Sequence, residues 1–334
     1  MTPRLAVNDL SVRFATDDGE ILAVDRMSFS VEPGEVLALV GESGCGKSVT
    51  AMSVLRLLPS IATMTGSITL DETELTSLST RQMREIRGRD ISMIFQEPMT
   101  SLNPSYTIGF QIGEVLRRHE GMSRKQAKER AVELLELVRM PAPTARIKEY
   151  PHQLSGGMRQ RVMIAMAVAC SPKVLIADEP TTALDVTIQA QILDIIRDLR
   201  EHVGASILLI THDLGVVADI ADRIEVMYAG HKVESGPVHE LFDNPQHPYT
   251  IGLLGAVPRP DLAGGMQDRL QEIPGLVPVL HDKPESCVFA PRCSRATDEC
   301  IEAMPPLGLV HPRQYTACVH PGNRDAQISE VVNA

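Results

Sequence analysis

The sequence predicts an α/β protein built on a parallel sheet, followed by a loop-rich region. Apolar runs of strand length, such as Val36–Val40 and Ser206–Ile210, alternate with segments long enough to form helices. This alternation favours a parallel sheet. From Pro245 to Pro321, prolines are frequent and no hydrophobic period is sustained, which is typical of irregular structure. We therefore expect one domain over residues 1–244 and an extension over residues 245–334.

The elements of the domain are predicted from hydrophobic period and from helix breakers. Leu5–Val12 alternates apolar and polar residues, as a half-buried strand does. Ser123–Met140 places its apolar residues on one helical face and stops at Pro141. The predicted strands are Leu5–Val12, Val24–Val31, Glu35–Val40, Met64–Leu70 (in an antiparallel region), Ile91–Phe95, Val174–Ala177 and Ser206–Ile210. The predicted helices are Lys47–Leu58, Ser123–Met140, Leu154–Cys170 and Val186–His202.

Composition and charge exclude some classes of partner. The 334-residue chain has a formal net charge of −11, only 3% aromatic residues and no tryptophan. Phosphate backbones require basic surfaces and single strands require aromatic platforms, so we expect no nucleic-acid partner. No apolar run is long enough to span a membrane, and the first ten residues lack a signal-peptide core. We expect a cytosolic chain whose membrane role depends on a partner.

A glycine-rich loop at the end of a predicted strand is the strongest functional signal. Gly41–Ser48 reads G-E-S-G-C-G-K-S and fits the phosphate-loop pattern G-x-x-x-x-G-K-[ST]. Backbone N–H groups of such a loop, together with the helix that it opens, attract phosphate oxygens. Lys47 can reach the β- and γ-phosphates, and the Ser48 hydroxyl can bind Mg²⁺. The predicted ATP-binding residues here are Gly41, Ser43, Gly44, Cys45, Gly46, Lys47, Ser48 and Val49.

An acidic pair ends a second predicted strand. Asp178 and Glu179 follow the apolar run that ends at Ala177. In a chain that has a phosphate loop, the first carboxylate suits Mg²⁺ and the second suits a general base for water. Without the phosphate loop, the same pair would fit an ordinary helix N-cap.

Further motifs resemble the ATP-binding subunits of ABC transporters. Leu154–Met158 reads L-S-G-G-M, which resembles the family's signature sequence with methionine in place of the usual glutamine. Gln96, after a predicted strand, resembles the Q-loop glutamine, and His212 resembles the switch histidine. Ala183–Asp185 resembles the D-loop. Phe14 occupies the position of the aromatic residue that stacks on adenine, which is usually tyrosine.

The resemblance implies a fold and a set of roles. The implied fold is a phosphate-loop NTPase of ABC type, with a parallel sheet core, an antiparallel β subdomain, a helical subdomain at about residues 97–170 and the loop-rich C-terminal extension. The implied catalytic residues are Glu179, His212, Gln96 and Lys47. The implied Mg²⁺ ligands are Ser48, Gln96 and Asp178. The implied residues that act on ATP held by a second subunit are Ser155, Gly156, Gly157 and Met158 of the signature, with Asp185 of the D-loop at the same interface.

Longer stretches resemble the peptide and nickel branch of ABC importers, and most closely the D-type ATPases of dipeptide permeases. These stretches are Gln96–Pro104, Tyr150–Arg161, Ala177–Gln191 and His247–Thr250. The resemblance implies an ATPase that energises the import of dipeptides or short peptides at the cytoplasmic face of a bacterial inner membrane. The implied partners are two transmembrane permease subunits, a second and related ATPase subunit and, indirectly, an extracytoplasmic solute-binding protein. Thr100–Gly113 is expected to contact a permease subunit.

Other functions remain open at this stage. The same subunit type would also serve importers of nickel, glutathione or longer peptides, because it does not touch the cargo. A soluble ABC ATPase of repair or translation is a second alternative, although the chain lacks the second cassette, the coiled-coil insertions and the basic surface common in that class. A scaffold that binds ATP without hydrolysis is disfavoured, because Lys47, Asp178, Glu179 and His212 are all present.

Four of the six cysteines are close together near the C-terminus. Cys287, Cys293, Cys300 and Cys318 are spaced C-x5-C-x6-C-x17-C. Four thiolates suit an iron–sulfur cluster or tetrahedral Zn²⁺, and reduced thiols without metal are a third interpretation. The spacing differs from the short C-x-x-C of zinc ribbons. Members of the dipeptide branch are associated with a [4Fe–4S] cluster, so the resemblance implies one here. Nearby histidines that offer alternative ligands are His281, His311 and His320, whereas Cys45 and Cys170 are expected to be packing residues.

Overall fold

The computed structural model describes residues 2–17, 19–97, 101–182, 185–256 and 273–322. The strands are β1 (Leu5–Thr16), β2 (Gly19–Val31), β3 (Val36–Val40), β4 (Ala62–Leu70), β5 (Thr73–Glu74), β6 (Ile91–Ile94), β7 (Val174–Asp178), β8 (Ser206–Thr211), β9 (Arg223–Tyr228), β10 (His231–Pro237), β11 (Gly308–His311) and β12 (Gln314–Thr316). The helices are α1 (Lys47–Val54), α2 (Thr80–Ile86), α3 (Ile108–His119), α4 (Arg124–Leu137), α5 (Pro143–Arg146), α6 (Gly156–Ala167), α7 (Val186–Val203), α8 (Leu214–Ile220), α9 (Val238–Asp243), α10 (Pro248–Gly255) and α11 (Asp298–Glu302). Short 3-10 helices lie at Pro151–Gln153 and Ala290–Arg292.

The predicted strands and helices are all present and differ at their ends, whereas strands β9 to β12 and several short helices were not predicted. The predicted helix Lys47–Leu58 ends at Val54 as α1, because the chain turns into the left-handed region at Arg56, with φ 51°. Similarly, α4 ends at Leu137 because Arg139 has φ 55°. A non-glycine residue adopts this conformation at an energetic cost and cannot continue a right-handed helix.

The described part of the chain forms two compact units. The first comprises the described residues within 1–6, 30–36 and 68–210. Its strands β8, β7 and β6 are neighbours in that order, with parallel pairing in both steps. All five residues of β7 and all four of β6 are buried, as expected for a parallel sheet covered on both faces. Helices α3, α4 and α6 pack on one another and form most of the region that was expected to be a helical subdomain.

The second unit comprises the described residues within 7–29, 37–67 and 211–334. Its sheet has the strand order β11-β12-β10-β9-β3. Strand β3 is parallel to β9, and β10 is antiparallel to both β9 and β12. Strands β1, β2 and β4 form a separate sheet in the order β2-β1-β4. The strand that leads into the phosphate loop therefore belongs to one sheet with β11 and β12, the last two strands of the described residues.

The C-terminal extension contributes to the core of the second unit. Phe289 and Tyr249, both in the extension, are buried in one hydrophobic cluster with Val40 and Tyr228. The extension is rich in loops, as predicted, yet it does not stand apart from the preceding chain. The second unit contains residues on both sides of Asn244, and the division into domains at residues 1–244 and 245–334 remains a prediction.

Within the described ranges, no helix combines the length and the apolarity needed to cross a bilayer.

Candidate nucleotide site and cysteine pocket

The phosphate loop connects β3 to α1, and its glycines are required by close backbone approach. A side chain at Gly41 would place its Cβ 2.1 Å from the Met227 carbonyl oxygen. At Gly46, which has φ 104° and is the N-cap of α1, a Cβ would lie 2.5 Å from the Ala23 carbonyl oxygen. Neither position tolerates another residue without a backbone shift. The loop is therefore shaped by contacts with its own unit, as a preformed phosphate cradle requires.

Lys47 lies over the loop with only 5% of its surface exposed. Its ammonium group donates hydrogen bonds to the carbonyl oxygens of Gly41, at 2.7 Å, and Glu42, at 2.9 Å. Cys45 is fully buried beneath it, and burial raises the pKa of that thiol. The prediction that Cys45 is a packing residue of the loop is consistent with this burial.

The C-terminal extension also contacts the loop, a feature that the sequence analysis missed. The Glu42 backbone N–H donates to the Tyr249 hydroxyl at 2.8 Å. The Glu42 carboxylate accepts two hydrogen bonds from the Arg292 guanidinium, at 2.7 and 3.0 Å. This pairing raises the pKa of Arg292 further above its already high usual value. The only signal for these contacts in the sequence is the tyrosine of His247–Thr250 and an arginine beside Cys293.

The acidic pair and Gln96 meet in the first unit. Asp178 ends β7 and is 3% exposed. The Glu179 carboxylate accepts hydrogen bonds from the Gln96 side-chain amide, at 2.8 Å, and from the Thr182 hydroxyl, at 2.8 Å. The Glu179 backbone N–H donates to the Ile210 carbonyl at 2.8 Å. The structure thus brings Gln96, one of the predicted Mg²⁺ ligands, to the predicted base and adds Thr182, whereas Ser48, another predicted ligand, belongs to the second unit.

The signature residues form an exposed helix N-terminus. Ser155 caps α6, and its hydroxyl accepts a hydrogen bond from the Met158 backbone N–H at 3.4 Å. Ser155 and Gly156 are exposed, so the start of α6 presents backbone donors to solvent. A Cβ at Gly157 would lie 2.9 Å from Ile188, which explains glycine at that position.

The remaining predicted residues occupy separate positions. Asp185 caps α7 by accepting a hydrogen bond from the Ile188 backbone N–H at 2.9 Å, whereas Ala183 and Leu184 lie outside the described residues. His212 follows β8 and is exposed, and Phe14 lies half-buried in β1. Both belong to the same unit as the phosphate loop.

The four late cysteines line one pocket in the second unit. Its lining includes Cys287, Cys293, Cys300 and Cys318. Burial raises the pKa of Cys287 and Cys293, and it raises that of Cys318 to about 11. These three thiols are therefore protonated at neutral pH unless a metal displaces the protons. In the described part of the chain, no three His, Cys, Asp or Glu side chains converge as ligands of a single metal ion.

The histidines near the pocket differ from the expected set. His320 lines the pocket, and so does His247, which was not predicted. The ring of His281 is hydrogen-bonded to the Glu20 carbonyl oxygen, and that of His311 to Asn244. Neither of these two is among the lining residues, so the interpretation of His281 and His311 as alternative ligands is not supported. Cys170 belongs to the other unit.

The similarity of the chain to known proteins agrees with the nucleotide site described above. The family model of ABC transporters matches residues 24–182, and that of the oligopeptide/dipeptide transporter C-terminal region matches residues 233–300. The chain is 54% identical over 327 residues to a putative peptide import ATP-binding protein of Brucella melitensis, covering 95% of this chain and 97% of the relative. It is 52% identical over 316 residues to a probable peptide ABC transporter ATP-binding protein of Sinorhizobium fredii, covering 94% of each. A dimeric ATP-binding cassette bound to ADP and Pi superposes with a TM-score of 0.63 at 26% identity, covering 70% of this chain and 98% of that one. The chain is therefore a member of the ABC transporter family of ATPases, in the branch that has the oligopeptide/dipeptide transporter C-terminal region.

Proposed function

We propose that this chain is the ATP-hydrolysing subunit of a peptide importer and that dipeptides or short peptides are its cargo. The observation that supports the proposal most strongly is the likeness, over nearly the whole chain, to proteins named as peptide import ATP-binding proteins. The C-terminal match to the oligopeptide/dipeptide transporter region supports the same branch.

ATP is assigned to the loop of residues 41–48. The Lys47 ammonium donates hydrogen bonds to two carbonyl oxygens of the loop, and phosphate oxygens are stronger acceptors for the same group. Ser48, Asp178 and Gln96 are the proposed ligands of Mg²⁺, which neutralises phosphate charge when it is bound. The hard oxygen atoms of a hydroxyl, a carboxylate and an amide fit that ion. Gln96 uses its amide nitrogen to bind Glu179, so its carbonyl oxygen is the atom available to a cation.

Glu179 is the proposed general base. As the oxygen of water attacks the γ-phosphorus and the bond to ADP breaks, the carboxylate accepts a proton from that water. The hydrogen bonds from Gln96 and Thr182 fix the orientation of the carboxylate for this step. His212 is assigned to the γ-phosphate, Phe14 to adenine, and Ser155–Met158 to ATP held by a second subunit.

The proposed partners are two permease subunits in the membrane and a second, related ATPase subunit, which places the chain at the cytoplasmic face. Tyr106 and Phe110 support a contact between residues 100–113 and a permease subunit. Their ring centroids lie 4.5 Å apart in a stacked arrangement, while 46% and 44% of their surfaces remain exposed. Exposed neighbouring aromatic rings are typical of protein interfaces. Thr100, the first residue of the predicted contact, lies outside the described residues.

The test of this function is peptide uptake by the assembled transporter in proteoliposomes. Glu179→Gln should lower both ATP hydrolysis and peptide uptake by about 10²-fold or more, the scale of a lost general base, while ATP still binds. Glu136→Gln, an exposed glutamate on α4, is the matched control and should retain both activities. Normal ATP hydrolysis by Glu179→Gln would refute the assignment of Glu179 as the general base. Hydrolysis by the wild-type transporter without any peptide uptake would refute peptides as the cargo.

We also propose that the cysteine pocket holds a [4Fe–4S] cluster. Each iron of such a cluster binds one cysteine, so the four thiols need not converge on a single point. Four thiols that line one pocket are a donor set that suits such a cluster. When bound, a cluster would connect the irregular segments that contain the four cysteines.

Purification without oxygen tests the cluster. The chain should contain about four iron and four sulfide ions and show a broad visible absorption. Cys293→Ser should lose the iron, whereas Cys170→Ser, outside the pocket, should retain it. A folded, colourless and iron-free wild-type chain would refute the proposal.

A further inference from the structure

The phosphate loop contains a negative charge of its own. Glu42 follows the first glycine of the loop, and its carbonyl oxygen is 2.9 Å from the Lys47 ammonium. Its carboxylate is 30% exposed. A carboxylate in a loop that is to receive a triphosphate would repel that ligand, because like charges in a partly buried site interact strongly.

Arg292 of the extension neutralises this carboxylate. The two groups form a bidentate ion pair at 2.7 and 3.0 Å, and the arginine side chain is only 6% exposed. Two parallel hydrogen bonds of this kind fix orientation as well as charge. The pair is therefore unlike a solvated surface salt bridge, which contributes little.

Other contacts hold the guanidinium in place. It donates hydrogen bonds to the carbonyl oxygens of Pro274, at 2.7 Å, and Ile273, at 3.0 Å. It also lies over the Tyr228 ring, 5.6 Å from the centroid. These contacts bring the positive charge to the loop in a fixed position, so little side-chain entropy is lost when it pairs with Glu42.

The same loop residue is also held through its backbone. The Tyr249 hydroxyl accepts a hydrogen bond from the Glu42 N–H at 2.8 Å, and Tyr249 is fully buried. The ring packs 4.8 Å from that of Tyr228, over which Arg292 lies. Two residues of the extension thus contact one residue of the loop, one at its side chain and one at its main chain.

We propose that Arg292 is a positioning residue of the nucleotide site, which neutralises Glu42 and keeps its carboxylate turned away from the triphosphate. The inference rests on the proposed assignment of residues 41–48 as the ATP site. It gives the C-terminal extension a direct role in ATP affinity, independent of whether the cysteine pocket is filled.

The experiment measures equilibrium binding of ATP and ADP to the full-length chain. Arg292→Met keeps the volume of the side chain and removes its charge, and it should weaken ATP binding about tenfold, the scale of one unbalanced charge at about 10 Å in a partly buried site. ADP carries less negative charge and should lose less affinity. The double variant Arg292→Met/Glu42→Gln removes both charges and should return ATP affinity to within about twofold of the wild type.

Controls separate charge from folding. Arg313→Met removes an exposed arginine of the same extension, whose surface is 74% exposed, and should bind ATP normally. A simple packing defect in Arg292→Met would weaken ATP and ADP equally and would not be rescued by Glu42→Gln, and either result would overturn the inference. Unchanged ATP affinity in Arg292→Met would also overturn it. Lys47→Ala tests the loop itself: if that variant binds ATP normally, the proposed ATP site is wrong, whereas loss of binding there leaves the Arg292 result as an independent test.

Discussion

At the scale of single residues, Glu179 is held by hydrogen bonds in an uncommon backbone conformation. Its φ is 46°, in the left-handed region, which costs a non-glycine residue about 1–3 kcal/mol. The hydrogen bond from its N–H to Ile210 and those from Gln96 and Thr182 to its carboxylate stabilise this conformation. Strained residues of this kind are frequent at functional sites, which agrees with the role proposed for Glu179.

Thr182 provides a test of whether this hydrogen bonding to the Glu179 carboxylate matters for hydrolysis. Thr182→Val removes the hydroxyl that donates to the Glu179 carboxylate while it keeps the side-chain shape. We expect ATP hydrolysis to fall about tenfold, the equivalent of one hydrogen bond to a charged group, while ATP affinity stays constant. Measurement of kcat together with the dissociation constant of ATP distinguishes this effect from lost binding.

Thr182→Ser is the matched variant, because it keeps the hydroxyl. Its hydrolysis rate should stay close to that of the wild type. Equal losses in the valine and serine variants would show that the methyl group, and not the hydrogen bond, is required.

Residues of the site differ in how far the sequence could predict them. Gly41–Ser48 and Glu179 follow short patterns that physical chemistry explains directly. Arg292 and Tyr249 lie 250 and 207 residues from Glu42, and no local spacing encodes such a contact. Thr182 was missed because its role depends on the left-handed turn at Glu179, which has no signature in composition.

At the scale of elements, β10 contains a buried carboxylate where β12 joins it. Glu234 is fully buried and is paired in register with Thr316. Its carboxylate accepts hydrogen bonds from the backbone N–H groups of Gln246 and His247 and from the Gln314 side chain. Burial nevertheless raises the pKa of Glu234, because desolvation of the charged form outweighs these bonds.

Because the pKa of Glu234 is raised in the folded state, this residue should make the free energy of unfolding depend on pH. A carboxyl group whose pKa is higher in the folded state stabilises the fold below its unfolded pKa, and that stabilisation is lost as the pH rises through the folded pKa. Glu234→Gln cannot ionise, so relative to the wild type its free energy of unfolding should rise as the pH is raised from about 4 to 7. Urea unfolding across that range measures the difference.

Glu302→Gln, an exposed glutamate on α11, is the control for this experiment. Its pH dependence should follow that of the wild type. If the free energy of unfolding of Glu234→Gln has the same pH dependence as that of the wild type, the carboxyl group of Glu234 has no raised pKa in the fold.

At the scale of the whole chain, the main strands and helices up to β8 could be predicted, whereas strands β9 to β12 and the contribution of the extension to the core could not. The buried strands form continuous apolar runs, which a sequence shows plainly. Phe289 enters this core from an irregular segment, and its ring centroid lies 5.1 Å from that of Tyr228 and 5.4 Å from that of Tyr249. An isolated aromatic residue between prolines has no hydrophobic period, so its burial becomes visible only in three dimensions.

The ion pair between Glu42 and Arg292 also has a consequence for biosynthesis. The two residues are separated by 250 positions, and at roughly 5–20 residues per second a ribosome needs about 10–50 s to pass from one codon to the other. During that interval the nascent loop exists without its arginine. The role proposed for Arg292 therefore implies that a newly made chain acquires its full affinity for ATP only after Arg292 has been synthesised and has folded against the loop.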